Sequence, residues 1–194
     1  LALEHGVLLP DLTTLTAAAL PPAQSILDTA RTRVRALVLD GDRISGRLVE
    51  EHQTAAHGLA WLATYVESLR QMQKWAETLQ DQGTFGEMEQ LILQIAFGEY
   101  LWQIYGGIPM NQGEVLRLQD LGLTQDDMRA LMAPEVMTLT QSGNTQAART
   151  RLVALMQDAQ AETTYGKTGL DDELEMIRDQ FRRYAVDKVE PHAH

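Results

Sequence analysis

Residues 44–107 carry two long runs at helical spacing, and each run is apolar around more of its circumference than a surface helix needs. In the first, Leu59, Leu62, Val66, Leu69, Ala76 and Leu79 recur three, four or seven apart, while Trp61, Tyr65, Met72 and Trp75 form a second face. In the second, Phe85, Met88, Ile92, Ile95 and Trp102 make one stripe and Leu93, Phe97, Leu101 and Ile104 another. Helices of this kind need neighbours on two sides, so the expected fold class is all-α, a helical bundle built around a long antiparallel hairpin. Gly83 suits the left-handed residue that ends the first arm, and Thr84 with Glu87 reads as a capping box opening the second. If unbroken from Arg43 to Gln80, the first arm would be about 57 Å long. Gly46 and Gly58 are the places where it would bend or start late.

The flanking segments are expected to pack against this hairpin. Pro21 and Pro22 open the first sure helix, Ser25 to Leu39, because a proline is tolerated where the first-turn amide has no partner anyway. Arg31, Arg33 and Arg35 read as its solvated face, with Asp28 supporting Arg31; an anion site is the alternative. Residues 108–123 show no sustained period and read as a loop. Thr124 and Asp127 cap a short helix from Gln125 to Met132 that Pro134 interrupts. A helix from Thr145 to Ala159 presents Ala148, Leu152, Leu155 and Met156 to the hairpin. Residues 160–170 are polar and glycine-containing and read as a linker. The last helix, about Asp171 to Val189, places acids in its first turns and Arg182, Arg183 and Lys188 later, matching the helix dipole. Its apolar face is Leu174, Ile177, Phe181, Tyr184, Ala185 and Val189, and Pro191 ends it.

Composition narrows the chemistry. Sixteen basic against 27 acidic residues give a net charge of −11, which repels nucleic-acid phosphates in the absence of a segregated basic patch. With 44% apolar residues and no apolar run long enough to span a bilayer, the chain is expected to be soluble and cytoplasmic. The opening residues lack the basic flank of a secretory signal, and with no initiator Met they read as a trimmed end. There is no cysteine, which excludes disulfides, thiolate metal sites and cysteine nucleophiles.

Few residues suggest a site. Gly166, Lys167 and Thr168 resemble the tail of a phosphate-binding loop, but Ala161 stands where the loop's first glycine belongs and a helix precedes it. His52 and His57, five apart, fall on different helix faces; His192 and His194 lie at the end of the chain, and His5 has no evident partner. No Glu-x-x-His pair of a di-iron bundle occurs. Ser25, Ser45, Ser68 and Ser142 lack a nucleophile setting. Glu99 falls on an apolar stripe, so it lies either at the rim of the buried face or paired inside it. No catalytic, cofactor-binding or metal-binding residue is assigned.

Two stretches resemble the acyl-CoA dehydrogenase family. DDELEMIRDQFRRYAVDKVEPHAH is similar to the opening helix of these enzymes, through Arg178, Arg182, Tyr184, Ala185, Val189 and Pro191. AHGLAWLATYVESLRQMQKWA, FGEMEQLILQIAFGEYLWQI and GGIPMNQGEV resemble the N-terminal extension of the branch that oxidises methylsuccinyl-CoA to mesaconyl-CoA. The resemblance implies a helical extension domain over residues 1–165, then a linker and the first helix of a dehydrogenase domain over 166–194. It implies a parent enzyme with FAD, an electron-transfer flavoprotein as electron acceptor and a homo-oligomeric assembly. The flavin, CoA and catalytic segments of such an enzyme would follow His194, leaving this stretch a structural, oligomer-shaping part. An independent helical protein-interaction module is the other reading. In the complete enzyme Phe181 and Tyr184 are expected to pack into the dehydrogenase helical domain; in this fragment they need a substitute cover, from the bundle or from a second copy of the chain.

Overall fold

The computed structural model describes residues 7–159 and 165–193. It is a helical bundle with two small antiparallel hairpins, in agreement with the all-α expectation. Helix α1 (Leu12–Val38) is followed by β1 (Leu39–Asp40) and β2 (Arg43–Ile44), a short α2 (Gly46–Glu51), and the two arms α3 (Gln53–Asp81) and α4 (Glu87–Gly106). A second hairpin, β3 (Ile108–Asn111) with β4 (Glu114–Leu116), leads through 3-10 turns at Leu118–Leu121 and Asp127–Met132 to α5 (Pro134–Ser142) and α6 (Gln146–Asp158). Helix α7 (Asp172–Tyr184) continues as a π-helical turn, Ala185–Val189, and a final 3-10 turn, Glu190–His192.

The prolines do not open α1; they lie inside it, and the helix begins at Leu12. An interior proline costs a helix about 3 kcal/mol. The buried stripe explains why the helix survives, since Leu12, Thr16, Ala19, Ala23, Ile26 and Ala30 run across the prolines without a break. The carbonyls that lose their amide donors belong to Ala17, which is half-buried, and Ala18, which is exposed, so neither lies on the buried stripe. Packing against α3 is locked by a buried polar pair, Thr16 Oγ1 donating to Gln73 Oε1 at 2.6 Å.

The long arm starts late, at Gly46, as one of the two glycines suggests, and breaks at His52, whose backbone leaves the helical region (φ −112°, ψ 32°), not at Gly58. Gly58 stays within α3 because a side chain there would meet Leu116 Cδ1 at 2.3 Å; the β3–β4 hairpin packs where its Cβ would be. Gly83 does take a positive φ of 68°. The cap is displaced from the expected one: α4 starts at Glu87, so Gly86 is the capping residue and Glu89 Oε2 returns to its N–H at 3.1 Å. Thr84 instead donates its hydroxyl to Leu79 O.

Residues 108–123 form the second hairpin and a 3-10 turn where a loop was expected; the turn uses Asn111 Oδ1 accepting from Gly113 N–H at 3.1 Å. Thr124 and Asp127 make the expected reciprocal bonds, at 2.8 Å and 3.3 Å. The helix they cap is 3-10 and starts at Asp127. Pro134 is the first residue of α5, the favoured place for a proline at a helix start. Helix α6 forms as expected, capped by Thr145 accepting from Ala148 N–H at 3.1 Å.

Two features tie α5 and α6 to α4. A Cβ at Gly98 would lie 2.8 Å from Asn144 N and 2.9 Å from Leu139 O, and one at Gly143 would lie 2.9 Å from Gln94 O, so the backbones meet with no side chain between them. Beside that crossing the fully buried Gln94 accepts from Leu9 N–H at 2.7 Å and donates to Val7 O and Gly143 O, both at 3.1 Å.

Candidate functional site

Glu99 is the acid the sequence singles out, and it is half-buried and paired. Its Oε1 accepts from Gln103 Nε2 and its Oε2 from Asn144 Nδ2, each at 2.6 Å. The chain of bonds extends both ways. Tyr65 donates its hydroxyl to Gln103 Oε1 at 2.5 Å, and Arg149 Nη1 donates to Asn144 Oδ1 at 2.9 Å. Burial, then charge repulsion from the Tyr100 phenol and from Glu99, push the Tyr65 phenol above its ordinary value. Each oxygen of this carboxylate accepts from a side-chain amide. The network joins α3, α4 and the start of α6.

The Gly166-Lys167-Thr168 stretch is held in place on the bundle. Lys167 N–H donates to Glu89 Oε1 at 2.8 Å, and its carbonyl accepts from Trp75 Nε1 at 2.8 Å. A phosphate-binding loop aims its amides at an anion; here a protein carboxylate already occupies that role. The residues thus do not fit a nucleotide or flavin phosphate. The expected linker is a linker only in part: residues 165–170 dock on α3 and α4, while 160–164 lie outside the described residues, as do His5 and His194.

The remaining candidates are dispersed. His57 accepts from Trp61 Nε1 at 3.0 Å one turn away, and His52 marks the α2–α3 break. Among the described residues no cluster of three or more His, Asp or Glu is placed to hold a metal ion. Ser68 donates to Thr64 O within its own helix. Arg31 pairs with Asp28 at 3.1 Å and Arg33 with Asp127 at 3.6 Å, so both are balanced by acids. Hydrogen bonds from Thr124, with Arg33 nearby, hold the Asp127 carboxyl below its ordinary value.

Two residues that matter here, Glu89 and Gln94, are not found by sequence reasoning. Gln94 interrupts the apolar run from Leu91 to Phe97 on α4, which is the signal that it is buried with a partner, whereas Glu89 stands beside Glu87 and Gln90 and carries no such signal. At the other extreme is α7. It begins close to the expected place and is capped by Asp171 accepting from Leu174 N–H at 2.9 Å, yet none of its residues is buried. Met176 is 55%, Phe181 72% and Tyr184 64% exposed.

No family model matches the chain. Over 187 residues, 96% of its length, the chain is 56% identical to the (2S)-methylsuccinyl-CoA dehydrogenase of Cereibacter sphaeroides, and it spans 33% of the length of that relative. The match takes in both the two-faced hairpin and α7. Over nearly its whole length the chain is similar to one third of a (2S)-methylsuccinyl-CoA dehydrogenase, the relation expected of an N-terminal fragment of such an enzyme.

Proposed function

We propose that the chain is the N-terminal, oligomer-shaping part of an FAD-dependent acyl-CoA dehydrogenase. Residues 1–165 are its helical extension and 166–194 the linker and first helix of its dehydrogenase domain. The parent oxidises (2S)-methylsuccinyl-CoA to mesaconyl-CoA in the cytoplasm and delivers electrons to an electron-transfer flavoprotein. The flavin, the CoA site and the catalytic base belong to the part of the parent outside this chain, and no step of the reaction is assigned to these residues. The observation that carries the reading is α7, an amphipathic helix whose Leu174, Ile177 and Phe181 stand exposed beside a bundle that has closed its own core. A helix of that kind is half of an interface. The similarity to a dehydrogenase three times as long supports the dehydrogenase body as the other half.

The gene product extended past His194 tests this. It should purify yellow, lose its flavin absorbance on addition of (2S)-methylsuccinyl-CoA and reduce an electron-transfer flavoprotein. Removal of residues 1–165 should change the oligomer while the flavin stays bound. A downstream sequence with no flavoenzyme in it, or a colourless product, would sink the proposal. The second reading, an independent interaction module, rests on the same exposed face. The 194-residue chain alone separates the two: part of a dehydrogenase should self-associate through α7, whereas an independent module sediments as a clean monomer at high concentration.

A further inference from the structure

We infer that residues 166–169 are a latch that fixes the direction of α7 on the bundle, with Glu89 and Trp75 as its catch. Both polar groups of one backbone residue are engaged from two different helices. Lys167 N–H goes to Glu89 on α4, and Lys167 C=O receives the indole N–H of Trp75 on α3. A free linker leaves such groups to water; here they are held at 2.8 Å each. Glu89 is only 6% exposed, so water has little access to replace its bond to Lys167. Among the described residues, undocking would leave that carboxylate with Gly86 N–H as its one protein bond partner, which disfavours release.

The flanking residues are shaped for the same seat. Gly166 and Gly169 have φ of +80° and +76°, which side chains rarely adopt. A Cβ on Gly166 would meet Ile92 Cδ1 at 3.2 Å, and one on Gly169 would meet Leu79 Cδ2 at 3.5 Å. From the latch the bonding runs straight into the helix. Thr168 Oγ1 accepts from Leu170 N–H at 3.2 Å and donates to Glu175 in the first turns of α7, whose start Asp171 caps. The start of α4 and the segment that leads into α7 thus share one carboxylate. The bundle sets where α7 points, and with it the direction of anything that packs on its apolar face, whatever that partner is.

Limited trypsin digestion of the 194-residue chain tests the latch, because Lys167 is a cleavage site within it. Cleavage requires local opening, so its rate tracks the open population. In the wild-type chain the bond after Lys167 should be cut at least about tenfold more slowly than in a synthetic peptide of residues 163–173. Trp75→Phe keeps the ring and removes only the indole N–H; it should speed that cut about five- to tenfold and leave cleavage after Lys74, inside α3, unchanged. Glu89→Gln should act in the same direction, and Glu89→Ala more strongly. If Glu89→Ala unfolds the chain, cleavage after Lys74 rises in parallel and Trp75→Phe decides the matter. A wild-type rate equal to that of the peptide, or a Trp75→Phe rate equal to wild type, would overturn the latch. None of these outcomes depends on the dehydrogenase assignment.

Discussion

Helices α4 and α7 invert the usual relation between pattern and burial. Helix α4 scatters its apolar residues almost evenly around the axis, yet it buries Leu91, Leu93, Phe97, Leu101 and Ile104 completely or nearly so. Helix α7 separates apolar from charged residues far more cleanly and buries none. A segregated face states what boundary a helix prefers, and whether that boundary exists depends on what else is present. Helix α4 has α1, α3, α5 and α6 against it; of the stripe Phe85, Met88, Ile92, Ile95 and Trp102, expected to be buried, the first four are half-buried and Trp102 is exposed. Helix α7 has the latch at its start, and its apolar face is left open.

The largest effect should come from truncating the two phenylalanines. Phe97→Ala empties a fully buried site and should cost about 3–5 kcal/mol in urea unfolding. Phe181→Ala, on a residue 72% exposed, should stay within about 0.5 kcal/mol at low protein concentration. A large cost for Phe181→Ala that grows with concentration would break the contrast and locate α7 between two copies. Next comes Gln94→Leu, which strands Leu9 N–H and Gly143 O and should cost about 2–3 kcal/mol. Gln180→Leu on exposed α7 should be near neutral by the same measurement.

The smallest effect concerns the α4–α6 ion pair. Arg151 holds the Glu87 carboxyl below its ordinary value, mainly through their hydrogen bond at 2.7 Å. A carboxylate depressed on folding contributes stability above its unfolded pKa, about 4.3, that is lost as pH falls through the folded value. Glu87→Gln should therefore lower the melting temperature slightly at pH 7, and the gap should close below about pH 4. A gap that widens in acid would show that the pair is not what sets the Glu87 charge.

Much of this fold is legible in the sequence because side-chain spacing survives packing. The stripes of α3, the stripe Leu93, Phe97, Leu101 and Ile104 of α4, the positions of α6 and α7 and the Gly83 turn all follow from local rules. The failures share one cause, a local rule overridden by a distant contact. Pro21 and Pro22 argue for a helix start, but the stripe from Leu12 to Ala30 lies on α3 and carries the helix through them. Glycine argues for a bend at Gly58, but Leu116, far along the chain, makes that glycine a packing position. Residues 166–169 look like a linker because they are polar and glycine-rich. Their partners, Trp75 and Glu89, are about eighty to ninety positions earlier, beyond the reach of any window of helical periodicity. The Glu99 network was half legible: the misplaced acid shows, but Asn144 and Tyr65 come to it only through the tertiary fold.

The meeting of α4 with the α5–α6 corner bears on how such a chain can change over generations. Where backbone touches backbone at Gly98 and Gly143, no smaller residue exists to substitute, and the nearest atoms are main chain that cannot step aside. Divergence elsewhere in the bundle can proceed by exchange of side chains that refill the same volume. At this corner it cannot, so the two glycines should remain together in every descendant that keeps the crossing, and their loss in a relative marks a bundle packed another way.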